Sequence, residues 1–279
     1  MFLLVSGMVL CIALGLVVSN YIALVLMMEL TLWLFIFMVS SHYQLSLIRV
    51  SVKYFVSQTV GSVLLLLAGL WVLLMMDKSL LMTIMLLLGI MLKLGVFPMH
   101  FWVLPVNNGL PYPLIGILGS PLKVLPLSLM SSLTSVGFSV SQNPVLCVSV
   151  LSMLVGSALG VTSSNTRNML GASSITHAGW FLLSAITTNA FFYFTLYSVA
   201  LSITLCSLTF IKPLFSCFSL LVLSGLPPFS VFWGKLLVLA SVMDMKLPLI
   251  FAMVALFSSF ISLFYYLKFS FFFYLMHTY

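Results

Sequence analysis

The sequence predicts an all-α fold: a polytopic transmembrane helix bundle of about ten helices, with inverted repeats and two broken helices. Three observations predict it. Hydrophobic residues fill 63% of the 279 positions and charged residues only 5%, against roughly 25% charged in soluble domains. Apolar runs of about 20 residues, enough to cross a bilayer, follow one another with little between them. Two of the runs carry the same Gly-x-x-Pro interruption, which a continuous helix does not tolerate. Nothing is left over for a soluble part, so residues 1–279 read as a single membrane-embedded domain.

Polar residues, Pro and Gly punctuate the apolar runs. They place spans at 2–19, 21–40, 54–76, 79–104, 110–138, 144–163, 168–188, 191–211, 214–241 and 247–275. The expected loops are Ser41 to Lys53, Asp77-Lys78, Asn107-Asn108-Gly109, Ser141-Gln142-Asn143-Pro144, Ser163 to Arg167 and Asp244-Met245-Lys246. Loops after even-numbered spans hold Arg49, Lys53, Arg167 and Lys212, whereas Asp77 with Lys78 and Asp244 with Lys246 cancel. The even loops and both termini are therefore expected on the positive side. Residues 1–20 lack the charged start and the cleavage site of a signal peptide, and read as the first span.

The net charge of +7 comes from ten dispersed Lys and Arg. No basic patch forms, so nucleic acid is not an expected partner. Cys11, Cys147, Cys206 and Cys217 sit singly in apolar runs and read as small buried apolar residues. Walker motifs, dinucleotide fingerprints, cysteine clusters and paired haem ligands do not occur, and the chain is expected to bind no redox cofactor.

Charges inside spans are the informative exceptions, because each costs about 2.5–3.5 kcal/mol at a helix centre. Glu29, Lys93, Lys123 and Lys235 all fall well within spans. A lysine near a helix end can snorkel to the interface. That account suits Lys212 and Lys246, while Lys268 fits either description. Glu29 is too short to snorkel and is the only acid inside a span. Burial disfavours charge on acid and amine alike, and a nearby opposite charge favours it. One buried Glu among buried Lys residues can therefore exchange protons, which suits a proton path.

The interruptions reinforce this reading. Span 4 contains Gly95-Val96-Phe97-Pro98 and then Phe101-Trp102; span 9 contains Gly225-Leu226-Pro227-Pro228 and then Phe232-Trp233. They lie five spans apart, so they run in opposite directions, as paired broken helices do in transporters. Two plain proline kinks are the alternative, and a Lys near each break weighs against them. His177, within span 7, is either a satisfied buried histidine or a proton relay. His100 follows the first break and is a weaker candidate. His42 and His277 read as loop and tail residues.

The segment Lys93-Leu94-Gly95-Val96-Phe97-Pro98-Met99-His100-Phe101-Trp102-Val103-Leu104-Pro105 resembles a motif of the NADH dehydrogenase subunit 2 family of mitochondrial complex I. Ser173-Ser174-Ile175-Thr176-His177-Ala178-Gly179-Trp180, and Ser224-Gly225-Leu226-Pro227-Pro228-Phe229 with Lys235, are similar to two further motifs, in the same order and spacing. The resemblance implies an antiporter-like membrane-arm subunit related to Mrp-type antiporters. Glu29 then matches the family's mid-helix Glu, Lys93 its paired Lys, Lys123 the central Lys, Lys235 the exit-side Lys and His177 a histidine between them. It also implies a multi-pass protein of the mitochondrial inner membrane. Its partners would be other complex I membrane-arm subunits and membrane lipids, within a large hetero-oligomer. NADH, FMN, iron-sulfur clusters and ubiquinone would be handled elsewhere in the complex. This sequence has trimmed loops and ends soon after the tenth span, where longer members have one more helix. A C-terminus on the positive side would then face the matrix. A stand-alone Mrp-like cation/proton antiporter and a purely structural subunit remain alternatives.

Overall fold

In hydrocarbon every backbone N–H and C=O must be paired within the protein, and an apolar run does this by becoming a helix. The computed structural model describes residues 2–41, 44–75, 80–135, 142–187, 189–210, 212–245 and 247–278. Among them, thirteen helices follow in order. They are α1 (Phe2–Val17), α2 (Tyr21–Ser40), α3 (Leu45–Met75), α4 (Leu80–Leu94), α5 (Val103–Gly109), α6 (Tyr112–Gly119), α7 (Pro121–Ser135), α8 (Gln142–Thr162), α9 (Thr166–Ile186), α10 (Ala190–Thr209), α11 (Pro213–Ser224), α12 (Ser230–Asp244) and α13 (Leu249–Thr278). Seven stretches of the described residues are long and apolar enough to cross a membrane. Apolar α1, α4 and α11 are shorter; α4 and α11 are continued beyond a break by α5 and α12. The ten expected spans are thus present as ten helical segments.

Several boundaries differ from expectation. Most of the loop drawn from Ser41 to Lys53 is helix, because α3 starts at Leu45. At 31 residues it rises about 46 Å, more than the hydrocarbon thickness, and Arg49 and Lys53 lie exposed on its first turns. Asn107-Asn108-Gly109 closes α5, and Gln142-Asn143-Pro144 opens α8, where proline is tolerated in a first turn. A third interruption was not foreseen: Ser120 separates α6 from α7, with Pro121 first in the next helix. The two pieces still make one apolar crossing of 23 residues. Asp77, Lys78, His42, Ser141 and Lys246 lie outside the described residues.

The interior is organised around α9. Residues Met169–Ile186 are buried without exception, and α5, α7, α8, α10, α12 and α13 all pack against it. Gly171, Ala172, Ser173, Ser174, Ala178 and Gly179 keep its surface thin, which lets neighbouring backbones come close. Its hydroxyls are tolerated because Ser173, Ser174 and Thr176 each donate to a carbonyl one turn earlier. The outside is the reverse, with Leu10, Phe37, Val199, Phe257 and Phe260 exposed, as lipid-facing side chains are. Cys147 and Cys206 are also exposed rather than buried, and all four cysteines are free. Lipid is as apolar as a core, so an apolar run does not tell the two faces apart.

Ala178 is fully buried in α9 whereas Val199 is exposed on α10. Ala178→Leu is expected to destabilise by about 1–3 kcal/mol through overpacking, and Val199→Leu to change little. Thermal melting of the purified protein in detergent would separate the two.

Candidate functional site

Glu29 lies halfway along α2, and Lys93 in the last turn of α4. They are far apart in sequence but meet because α2 packs on α3 and α3 on α4. Lys93 Nζ donates to Glu29 Oε1 at 3.3 Å, the one ion pair among the described residues. The negative end of the α4 dipole also favours a cation at this position. The Lys93 side chain is 4% exposed and that of Glu29 21%.

Both foreseen breaks are present and begin alike. Gly95 and Gly225 take φ of 73° and 76°, a left-handed conformation that suits glycine and ends a helix. Each break frees carbonyls that must be paired again. At the first, Met91 O keeps the regular bond from Gly95 N–H and also takes the N–H of Val96, which would otherwise go to Leu92 O. Leu92 O is left without its usual partner, and Trp102 Nε1 and Gln58 Nε2 donate to it at 3.1 and 3.3 Å. At the second, Ser224 O would need an N–H from residue 228, which is a proline and has none. Lys235 Nζ donates to it instead, at 3.0 Å. Trp233, the apparent counterpart of Trp102, is exposed. The two breaks share a backbone but differ in what pairs their carbonyls.

Around α9 the remaining candidates converge. Lys123 is in the first turn of α7, just past the third interruption, where the helix dipole opposes a positive charge. Its Nζ donates to Ser174 O at 3.2 Å and lies 6.0 Å from the centre of the Phe181 ring. One turn along α9 from Ser174, His177 Nδ1 is 2.7 Å from Tyr193 Oη, and its ring packs on Tyr197 at 4.5 Å. His177 is within electrostatic reach of both Lys235 and Lys123. Lys235 in turn lies 5.8 Å from the Trp180 ring centre. Lys123 and Lys235 have no carboxylate partner among the described residues: Glu29 is paired with Lys93, and Asp244 is exposed at the end of α12.

The structure thus brings the five expected residues into two groups, Glu29 with Lys93 and Lys123 with His177 and Lys235. Helix α7 touches both α4 and α9 and connects them. His100 is buried between the rings of Phe97 and Phe101, and no hydrogen bond among the described residues joins it to the charges. Gln58 and Tyr193 were missed. Each carried a faint signal: Gln58 is an amide in the middle of an apolar run, and Tyr193 with Tyr197 repeats at helical spacing.

With this geometry established, comparison with known proteins is decisive. Residues 18–214 match the family model for the transmembrane part of NADH:quinone oxidoreductases and Mrp antiporters. The chain belongs to this family. Within it, the chain is 38% identical over 256 residues to NADH-ubiquinone oxidoreductase chain 2 of Albinaria caerulea, covering 90% of this chain and 82% of the relative. It is 32% identical to the chain of that name from Pongo abelii, covering 66% of this chain and 60% of that one. A chain of respiratory complex I from Thermus thermophilus has the same fold, with a TM-score of 0.85 at 22% identity over 96% of this chain and 69% of that one. A chain of the Mrp complex from Dietzia sp. DQ12-45-1b gives 0.83 at 17% identity over 94% and 59%. The family stretch includes Glu29, Lys93, Lys123 and His177, while Lys235 lies beyond it.

Gly225→Ala forces a left-handed alanine, a cost of roughly 1–2 kcal/mol, and sets its Cβ 2.9 Å from Lys235 Nζ. It is expected to lower the melting temperature and to displace the amine. Trp102→Phe removes one of two donors to Leu92 O and is expected to cost about 1 kcal/mol. A Trp102→Phe protein as stable as wild type would show that this donor contributes nothing at the first break.

Proposed function

We propose that this chain is a core membrane-arm subunit of the proton-pumping NADH:ubiquinone oxidoreductase. Glu29, Lys93, Lys123 and Lys235, with His177 as relay, carry its proton path. The observation that carries the reading is the buried charge set itself. One ion pair lies at the end of a broken helix, and α7 links that helix to α9, where two buried lysines have no carboxylate partner among the described residues. Family membership over residues 18–214 supports the same assignment. The whole chain acts as one membrane-embedded unit.

The chemistry is proton transfer driven by charge. Opening the Glu29–Lys93 pair changes the field along α7 and so the cost of holding a proton on Lys123. His177 and Tyr193 offer donor and acceptor groups between Lys123 and Lys235. Lys235, held at the second break, hands the proton on. Moving one charge against 100 mV takes about 2.3 kcal/mol, and a buried charge left without its partner costs several kcal/mol, so a switch that strips Lys93 of its carboxylate works on the required scale. NADH, FMN, iron-sulfur clusters and ubiquinone are bound by other subunits, and the energy arrives from them.

The partial exposure of Glu29 supports membership of a hetero-oligomer. A carboxylate facing lipid at mid-membrane is costly, and a neighbouring subunit would cover it. The likeness to an Mrp chain favours, as second reading, a stand-alone cation/proton antiporter. We place the chain in the mitochondrial inner membrane, in keeping with its animal chain 2 relatives.

Glu29→Gln and Lys93→Met are each expected to lower the number of protons moved per electron while assembly stays near normal. Reconstituted complex with a pH-sensitive dye measures this, and an unchanged ratio in both variants would sink the assigned role. For Lys123→Arg, which keeps charge but cannot readily release its proton, translocation is expected to fall. Full activity would instead favour a structural role for the charge. Antiport by the isolated chain in liposomes would favour the second reading.

A further inference from the structure

At one end of the bundle a cavity of about 700 Å³ opens beside the turn between α8 and α9. Arg167, Lys268, Tyr112, Phe271, Phe272 and Leu275 are among its walls. The proton path uses none of these residues. We propose that this cavity binds the phosphate of an anionic phospholipid whose acyl chains lie along α13.

The depth is right for a headgroup. Lys268 comes nineteen residues after Leu249, the first residue of α13, about 28 Å of helix and close to the hydrocarbon thickness. Its Nζ donates to Ser163 O at 3.4 Å, in the α8–α9 turn. Lys268 therefore sits at the membrane interface, which resolves its sequence ambiguity.

The charge is right as well. Arg167 and Lys268 come from different helices and converge on one cavity. Arg167 lies over the Tyr112 ring at 5.3 Å, and a single contact of 3.5 Å to Asn108 O is its hydrogen bond. Most of its five donors therefore remain for a ligand. The described carboxylates cannot neutralise the pair, since Glu29 holds Lys93 and Asp244 ends α12. Lys212 continues the positive band in an adjoining cavity of about 380 Å³ that shares Tyr112.

The third feature separates a lipid from a free anion. Phe260, Phe264, Lys268, Phe271 and Leu275 recur every three or four residues and form one face of α13. The four apolar ones are 70%, 63%, 62% and 54% exposed. A cation set in an apolar stripe at interface depth matches an amphipathic anion. Inorganic phosphate would have no use for the stripe.

The test uses the intact assembly containing this chain, and its readout is lipid rather than pumping, so it can fail independently of the proposed function. Purified wild type and Arg167→Gln/Lys268→Gln are delipidated in detergent and titrated with phosphatidylglycerol, phosphatidylcholine or inorganic phosphate. Bound lipid is counted by mass spectrometry. The wild type is expected to retain phosphatidylglycerol in preference to the others. Each neutralised charge should weaken this binding about fivefold. Equal retention by wild type and variant overturns the proposal, as does an equal preference for phosphatidylcholine. Competition by inorganic phosphate at matched concentration would mean a free-anion site and would also overturn it. If the double variant does not assemble, wild-type complex is labelled with a photoreactive phosphatidylglycerol. With the photoreactive group on an acyl chain, adducts at Phe260 or Phe264 are expected, since these exposed residues lie on the hydrocarbon side of Lys268, and labelling elsewhere alone rejects the site.

Discussion

No water reaches the hydrocarbon interior to pair a stray carbonyl or a lone charge, and most of this structure is an answer to that fact. Unbroken helices meet it automatically. The broken ones do not, and their repairs are where the chemistry gathers. Trp102 and Gln58 donate to Leu92 O, and Lys235 donates to Ser224 O. A proline removes a donor at the second break, and a lysine replaces it. In the proposed proton path, that same amine also carries the proton.

The bundle divides its polarity accordingly. Its outer face is aliphatic and aromatic. Its inner axis, α9, carries serine, threonine and histidine, with Lys123 donating to Ser174 O one turn before His177 and Lys235 over the Trp180 ring one turn after it. Lys123 and Lys235 meet carbonyls and ring faces rather than carboxylates. The Glu29–Lys93 pair, between α2 and α4, is the one ion pair among the described residues.

Much of this was legible in the sequence, for identifiable reasons. Ten segments could be read because a crossing needs a fixed apolar length. Glu29, Lys93, Lys123, His177 and Lys235 stood out because ionisable groups are rare there, and Gly-x-x-Pro located two breaks. Other features left no such mark. The interruption at Ser120 has its glycine and proline at a different spacing, Gly119 only two residues before Pro121. Gln58 and Tyr193 take their meaning from partners 34 and 16 residues away. The likeness of Trp102 and Trp233 misled, since a one-residue offset after the glycine turns one inward and the other outward. The four cysteines, expected to be buried, are exposed or half-buried, because an apolar run reads the same in a core and against lipid.

Helix α9 also bears on biogenesis. Its mean hydropathy of 1.2 is matched by no lower value among the seven long crossings, and its best window is wholly buried. Such a segment gains little from lipid contact when it leaves the insertion machinery. Its residence in the bilayer depends on company: α8, which precedes it, and α13, which follows much later in the chain and packs against both. Among the seven long crossings the axis is thus the one least able to integrate by itself, and synthesis of α13 becomes an event that secures it.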